Sequence, residues 1–135
     1  MTTRIASCSC GQLSITLAGD PLGVGVCHCL ACQRRTGSVF ATLAAFAPPY
    51  AVTGQPTEYH HTGDRGSRYV FRFCPTCGTT LFHTEEGQEE KWVAVAVGAF
   101  ADPTFPPPED SVYGIRKHAW VQLPANVKSF DENPD

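Results

Sequence analysis

A chain of 135 residues is about the size of one domain and removes roughly two thirds of its unfolded surface from water on folding, so a single unit over residues 1–135 is expected. Hydrophobic residues make up 42% and charged residues 17%, which excludes the charge-rich, aliphatic-poor composition of a disordered chain. The 10 Lys+Arg against 13 Asp+Glu give a net charge of −3, with no basic run longer than Arg34-Arg35 or Arg116-Lys117-His118, and nucleic acid is not the expected partner.

In chain order, the residues before Cys8 hold no apolar segment of the secretory kind. Gln12 to Leu17 alternates polar and apolar positions and is predicted to be a strand, closed by a Gly19-Asp20-Pro21 turn. Val24 to Cys27 is a short extended approach to a cysteine triplet. Leu30 to Arg35 is predicted to form one or two helical turns that end at Thr36-Gly37-Ser38. Val39 to Phe46 has strand character and stops at Pro48-Pro49; with Ala47 it is the longest largely apolar stretch, far too short to span a bilayer. Thr57 to His61, Arg68 to Phe73, Thr80 to His83 and Trp92 to Val97 are further predicted strands, separated by turns such as Gly63-Asp64-Arg65-Gly66 and the acidic Glu85 to Glu90, a solvated loop. Phe105-Pro106-Pro107-Pro108 reads as an extended surface connection. No stretch sustains a 3.6-residue apolar period. The predicted class is mainly β, in a cytoplasmic protein with no membrane association.

The residues that bear most on function are the seven cysteines. They fall in three tight clusters: Cys8-Ser-Cys10, Cys27-His-Cys29-Leu-Ala-Cys32 and Cys74-Pro-Thr-Cys77. An odd number excludes complete disulfide pairing, and close clustering is not what a disulfide framework needs. Chelation favours it, because two thiolates one or two residues apart grip one ion with little loop-closure entropy. Zinc or a similar thiophilic metal is therefore expected. A thioredoxin-like reading of Cys74 and Cys77 calls for a helix after the second cysteine, whereas Gly78-Thr79-Thr80-Leu81-Phe82 reads as a turn into a strand. Pro75 setting the turn and Gly78 taking a positive φ suit a zinc knuckle, and Cys8-Ser-Cys10-Gly11 follows the same logic.

A structural zinc uses four protein ligands, and a catalytic zinc commonly three. Seven cysteines divide as four and three: Cys8, Cys10, Cys74 and Cys77 as a structural clamp, and Cys27, Cys29 and Cys32 as a reactive centre with one position left for an incoming ligand. In an extended chain Cys27 and Cys29 point to one side and His28 to the other, so His28 is not expected to be a ligand. The alternative is that the triplet plus one of His60, His61, His83 and His118 forms a second closed structural site. None of the four stands at ligand spacing from a cysteine; His83, just downstream of the knuckle, is the least easily dismissed but is left out of the predicted site.

The pattern Cys8-x-Cys10-Gly11, Cys27-His28-Cys29-x-x-Cys32 with Thr36-Gly37, and Phe73-Cys74-x-x-Cys77-Gly78 with Leu81 resembles that of the glutathione-dependent formaldehyde-activating enzyme (GFA) family, whose domain also occurs in centromere protein V. The resemblance runs from Cys8 to the Trp120-to-Pro124 segment. It implies a β-tent of the Mss-four-like type, antiparallel sheets joined by zinc, with Cys8, Cys10, Cys74 and Cys77 on a structural zinc and Cys27, Cys29 and Cys32 on a catalytic one, two Zn²⁺ per chain. The implied activity is that of a carbon–sulfur lyase, S-hydroxymethylglutathione in equilibrium with glutathione and formaldehyde. The glutathione-using member for which the family is named is longer at both ends, so the resemblance carries the fold and the metal sites further than it carries that substrate pair.

Coordination keeps a thiol ionised at neutral pH, so the triplet site is expected to bind and orient a small thiol such as glutathione rather than to generate hydroxide. Arg34 and Arg35 follow the triplet and are placed to offset its negative charge or to meet a substrate carboxylate. Two other readings stand beside this one: a non-catalytic, zinc-stabilised binding module, and a thiol-based redox or metal sensor.

Overall fold

The computed structural model describes residues 2–134. Eleven strands and one short α-helix, with two 3₁₀ turns, form two sheets. The smaller sheet holds β1 (Thr3–Ser7), β2 (Ser14–Ala18) and β5 (Tyr50–Thr53), in the order β1-β2-β5. The larger has eight strands in the order β11-β10-β3-β4-β9-β8-β7-β6, comprising β3 (Gly23–Cys27), β4 (Ala41–Phe46), β6 (Thr57–Thr62), β7 (Arg68–Phe73), β8 (Thr80–Glu85), β9 (Val93–Ala96), β10 (Asp110–Val112) and β11 (Lys128–Ser129). Helix α1 (Leu30–Thr36) is inserted between β3 and β4.

The mainly β class with antiparallel sheets is what the structure shows, with two differences. Strand β10 pairs in parallel with both β3 and β11. Phe105 is not on a surface connection: it is buried in the core, stacked on Phe100 at a centroid distance of 4.7 Å, with the Arg4 guanidinium over its ring at 5.0 Å. A run of prolines reads as solvated, yet the aromatic ring ahead of it supplies apolar area worth burying.

The two sheets pack face to face. Ile15 and Leu17 alternate with half-exposed polar residues along β2 and present one apolar face, as a period of two requires. They join a core with Ala6, Val24, Ala44, Phe46, Phe82, Val93 and Val95. The same alternation leaves Gly23, Gly25, Cys27, Leu43, Ala45 and Ala94 on the opposite face of the large sheet. A bulge in β8 alters the pattern on that strand: Arg72 is opposite Phe82 and Phe73 opposite Thr80, so Leu81 is the extra residue. Leu81 and Phe82 therefore both enter the core while His83 turns to the far face, opposite Phe71 on β7 and Ala94 on β9.

Candidate metal centres and active-site cavity

The sulfurs of Cys8, Cys10, Cys74 and Cys77 lie within 4.8 Å of one another. Cys8 and Cys10 follow β1 of the small sheet, and Cys74 and Cys77 follow β7 of the large one, so the cluster draws two thiols from each sheet. The two segments are built alike. The N–H of Cys8 donates to Leu13 O (2.9 Å) and that of Gly11 to Cys8 O (3.1 Å); the N–H of Cys74 donates to Thr79 O (2.9 Å) and that of Gly78 to Cys74 O (2.8 Å). Gly11 and Gly78 both hold φ at +85°, in the region where a Cβ is penalised. Ser9 clasps the two turns together through its N–H and hydroxyl, each 3.2 Å from Thr79 Oγ1.

The surroundings favour ionisation of Cys74 and Cys77, while Cys10, hydrogen-bonded to the other thiols of the group, is pushed up to about 11. The N–H of Leu13 donates to Cys8 Sγ at 3.3 Å and the Gln12 amide to Cys74 Sγ at 3.2 Å. The Thr79 hydroxyl and backbone N–H lower the Cys77 thiol to about 5. Burial opposes ionisation of Cys74, but the N–H groups of Cys77 and Thr76 and the Gln12 amide bring it to about 7. A tetrahedral zinc with sulfurs at 2.3 Å has S···S edges of about 3.8 Å. The Cys8–Cys10 and Cys10–Cys74 sulfurs are 3.7 and 3.6 Å apart, so this donor set fits zinc.

The sulfurs of Cys27, Cys29 and Cys32 form a second group, also within 4.8 Å of one another. Cys27 ends β3, Cys29 is the N-cap of α1 and Cys32 sits in its first turn. A cysteine caps the helix in the manner of Ser or Asp: its Sγ accepts from the N–H of Cys32 at 3.3 Å. Hydrogen bonds from the Cys27 and Cys32 thiols, together with the Cys32 and Ala31 N–H groups, hold the Cys29 thiol far below its usual range. Cys27 is pushed up by its interactions with Cys29 and Cys32 and by burial. Gly37, at φ +72°, closes α1 by donating to Gln33 O.

The two arginines separate. Arg34 is exposed. Arg35 turns inward, its Nη1 3.7 Å from Cys32 Sγ and its guanidinium 4.3 Å from the Phe71 ring centroid. A cation stacked on an aromatic face keeps its charge beside the triplet while its flat side is covered.

The histidines also separate. His28 is fully buried beneath the triplet, Nε2 2.9 Å from Ser111 Oγ on β10, and takes no place in either thiol group. His118 Nε2 is 3.1 Å from Gln33 Oε1 and His60 is 3.4 Å from Glu58. His83 is 8% exposed, boxed by Phe71 (4.5 Å between centroids), Tyr69 (5.8 Å) and Trp92 (5.9 Å). Burial, then the Arg35 and Arg72 cations, lower it to about 3, so at neutral pH it is an uncharged imidazole.

One cavity of about 990 Å³ lies over this face of the large sheet, lined by all three triplet cysteines, Arg35 and His83. Its floor includes Gly23, Ala45 and Ala94, whose lack of side-chain bulk leaves space, and Gly25, over which the Asp110 carboxylate lies where a Cβ would be; Tyr69, Phe71 and Trp92 form one end. Tyr113, at a left-handed φ of +56°, lines the cavity and donates its hydroxyl to both Asp64 carboxylate oxygens at 2.8 and 2.9 Å. None of Cys8, Cys10, Cys74 and Cys77 lines it. Of the cavity residues, the sequence had pointed to the triplet and Arg35; Tyr69, Trp92, Asp64, Tyr113 and the placement of His83 carried no motif by which to find them.

Among the described residues no helix is long and apolar enough to cross a membrane. No curated protein matches the chain. The crystal structure of a Rhodobacter sphaeroides protein, a structural-genomics target, is similar to it, with a TM-score of 0.54 and 25% sequence identity over 70% of this chain and 85% of that one. The family model described as glutathione-dependent formaldehyde-activating enzyme matches residues 3–116. With that match over most of its length, and with seven cysteines gathered into a group of four and a group of three, the chain belongs to the glutathione-dependent formaldehyde-activating enzyme (GFA) family.

Proposed function

We propose that this protein is a zinc-dependent carbon–sulfur lyase of the GFA type, a single cytoplasmic domain that cleaves or forms the adduct of a small thiol such as glutathione with an aldehyde. Cys8, Cys10, Cys74 and Cys77 would hold a structural zinc joining the two sheets, and Cys27, Cys29 and Cys32 a catalytic one. The observation that carries this reading is the asymmetry between the groups: the three thiols open on the cavity and the four do not. A fourth thiol donor closes a tetrahedral site, whereas three leave a position for substrate.

Bound zinc would supply one thing here, a means of keeping the substrate sulfur ionised at neutral pH. The rest falls to the chain. Arg35 sets a fixed positive charge against Cys32, which offsets negative charge gathered by the triplet and an arriving sulfur. Phe71 holds that guanidinium in place. The Cys32 N–H, donating to Cys29 Sγ, fixes the N-terminus of α1 to the site. The apolar floor and end wall limit water around the carbon–sulfur bond, and the Tyr113–Asp64 hydrogen bonds fix two of the lining side chains.

The test is a pair of substitutions. Cys29→Ser is expected to abolish thiol–aldehyde exchange, lower zinc content from two per chain towards one, and leave the melting temperature within a few degrees of wild type. Cys74→Ser is expected to remove the other zinc and lower stability sharply. Equal loss of stability from both, with no thiol-dependent exchange in the wild type, would favour the purely structural reading.

A further inference from the structure

Arg35, 3.7 Å from Cys32 Sγ and 4.3 Å from the Phe71 ring centroid, connects the triplet to His83, whose ring lies 4.5 Å from that of Phe71, while the sheet face beyond His83 is without a role. A cavity of about 990 Å³ is at the upper end of the range that holds drug-sized ligands, so beside a small thiol it has room for a carbonyl partner larger than the two heavy atoms of formaldehyde. Successive cross-strand partners Gly23, Ala45, Ala94, His83 and Phe71 form one row across β3, β4, β9, β8 and β7. The first three carry at most a methyl group, so the row is a shallow trough that ends at an imidazole backed by an aromatic ring. His83 makes no hydrogen bond among the described residues, yet it is more than nine-tenths buried and lines the cavity. Its ring nitrogens are not fully enclosed, so the little exposure His83 keeps is on the cavity, where it offers a hydrogen bond to whatever enters.

Charge narrows the choice. The lining acids are Asp64, Asp110 and Glu132, against Arg35 and Arg116. Arg35 is taken up by Cys32 and Phe71, Asp64 by Tyr113, and Glu132 lies 3.8 Å from Arg65. A charged body on the trough would exchange hydration for glycine, alanine and aromatic surface with no charged side chain in that row to answer it, which disfavours it. A neutral apolar body gains there.

We propose that the carbonyl partner at this site is an aldehyde bearing a neutral apolar group about the size of an aromatic ring, its body lying on the Gly23–Ala45–Ala94 trough and its oxygen hydrogen-bonded to His83. The proposal rests on the lyase reading of the triplet and names its substrate class. In the cleavage direction an adduct RS–CH(R′)–OH yields the thiol RSH and the aldehyde R′CHO. The carbon–sulfur bond breaks with its electron pair going to sulfur, the O–H pair becomes the second carbon–oxygen bond, and the hydroxyl proton passes to solvent water, from which the sulfur is reprotonated when the thiol leaves; His83 stays neutral and donates its hydrogen bond to the oxygen throughout. Addition is the reverse, and no oxidant or reductant enters.

Trp92, edge-on to His83, gives a readout independent of turnover once the exposed Trp120 is replaced by Phe. In that zinc-loaded background, benzyl alcohol is expected to change Trp92 fluorescence saturably, and His83→Phe to weaken its binding roughly tenfold. Exchange spectroscopy with 2-mercaptoethanol as thiol is expected to favour phenylacetaldehyde over formaldehyde in kcat/KM. Gly23→Val, at a position where an added Cβ meets nothing within 4 Å, should lower that preference by roughly tenfold, with Ala45→Leu as the second trough-filling variant. Formaldehyde turned over with no response to benzyl alcohol and no preference for phenylacetaldehyde would overturn the inference while leaving the lyase reading intact. Benzyl alcohol bound in a Gly23-dependent way with neither aldehyde turned over would sustain the apolar subsite and remove the lyase.

Discussion

Replacing His83 by Phe tests whether its imidazole is held neutral inside the fold, and the structure sets the size of the effect. In the unfolded chain the ring titrates near 6.5; in the folded protein burial and the Arg35 and Arg72 cations lower it to about 3. Between those values the unfolded state binds more protons, so folding stability falls as the pH drops from about 6.5 towards 3, with a slope approaching 1.4 kcal/mol per unit. Above pH 7 the group contributes almost no pH dependence. From pH 7 to pH 5 the wild type should therefore lose roughly 2 kcal/mol more than the His83→Phe variant. Urea unfolding of both proteins at pH 7, 6 and 5 measures the difference, and acid-linked loss of metal, common to both, cancels. A stability difference that stays constant over this range would show that the ring is solvated or charged in the folded protein, and would refute the closed aromatic box around it.

Three other outcomes are expected. Gly78→Ala forces a residue with a Cβ to hold φ at +85° and should cost roughly 1–2 kcal/mol by chemical denaturation, whereas Gly98→Ala, in open space with no positive φ, should cost well under that. Phe46→Ala, a fully buried ring between the two sheets, should lower stability by about 3–5 kcal/mol. Prolonged chelation should lower the melting temperature and make all seven thiols reactive to alkylating reagents, with restoration on adding Zn²⁺; an unchanged melting temperature would count against metal holding the sheets together.

The parts of the fold that could be read in advance are those whose chemistry is local. Alternation from Gln12 to Leu17 marked β2, and Gly11 and Gly78 marked the two turns, because each pattern is fixed within a few residues. The grouping of cysteines followed from ligand number. Long-range pairing left no such trace: β10 and β11 have three and two residues, too few to show a period, and their parallel partners are set by packing. His83 shows the difference most plainly. Unbroken alternation along Thr80 to Glu85 would put His83 on the same face as Leu81, in the core. The bulge at Leu81 reverses the face, and it is fixed by the pairing of β8 with β7, which no residue of β8 announces.

The clasp between the two cysteine turns has a consequence for how the chain is made. Cys10 and Cys74 are 64 residues apart, and closing a flexible loop of that size costs about 4 kcal/mol in chain entropy, beyond a length-independent constant. During synthesis the first turn emerges long before its counterpart, so Cys8 and Cys10 wait as an unpaired dithiol while more than half the protein is still to come. The triplet, complete within six residues, can assemble as soon as β3 and α1 have left the ribosome. The order of the cysteines along the chain thus sets an order of maturation, with the cavity's own thiols gathered first and the link between the sheets made last.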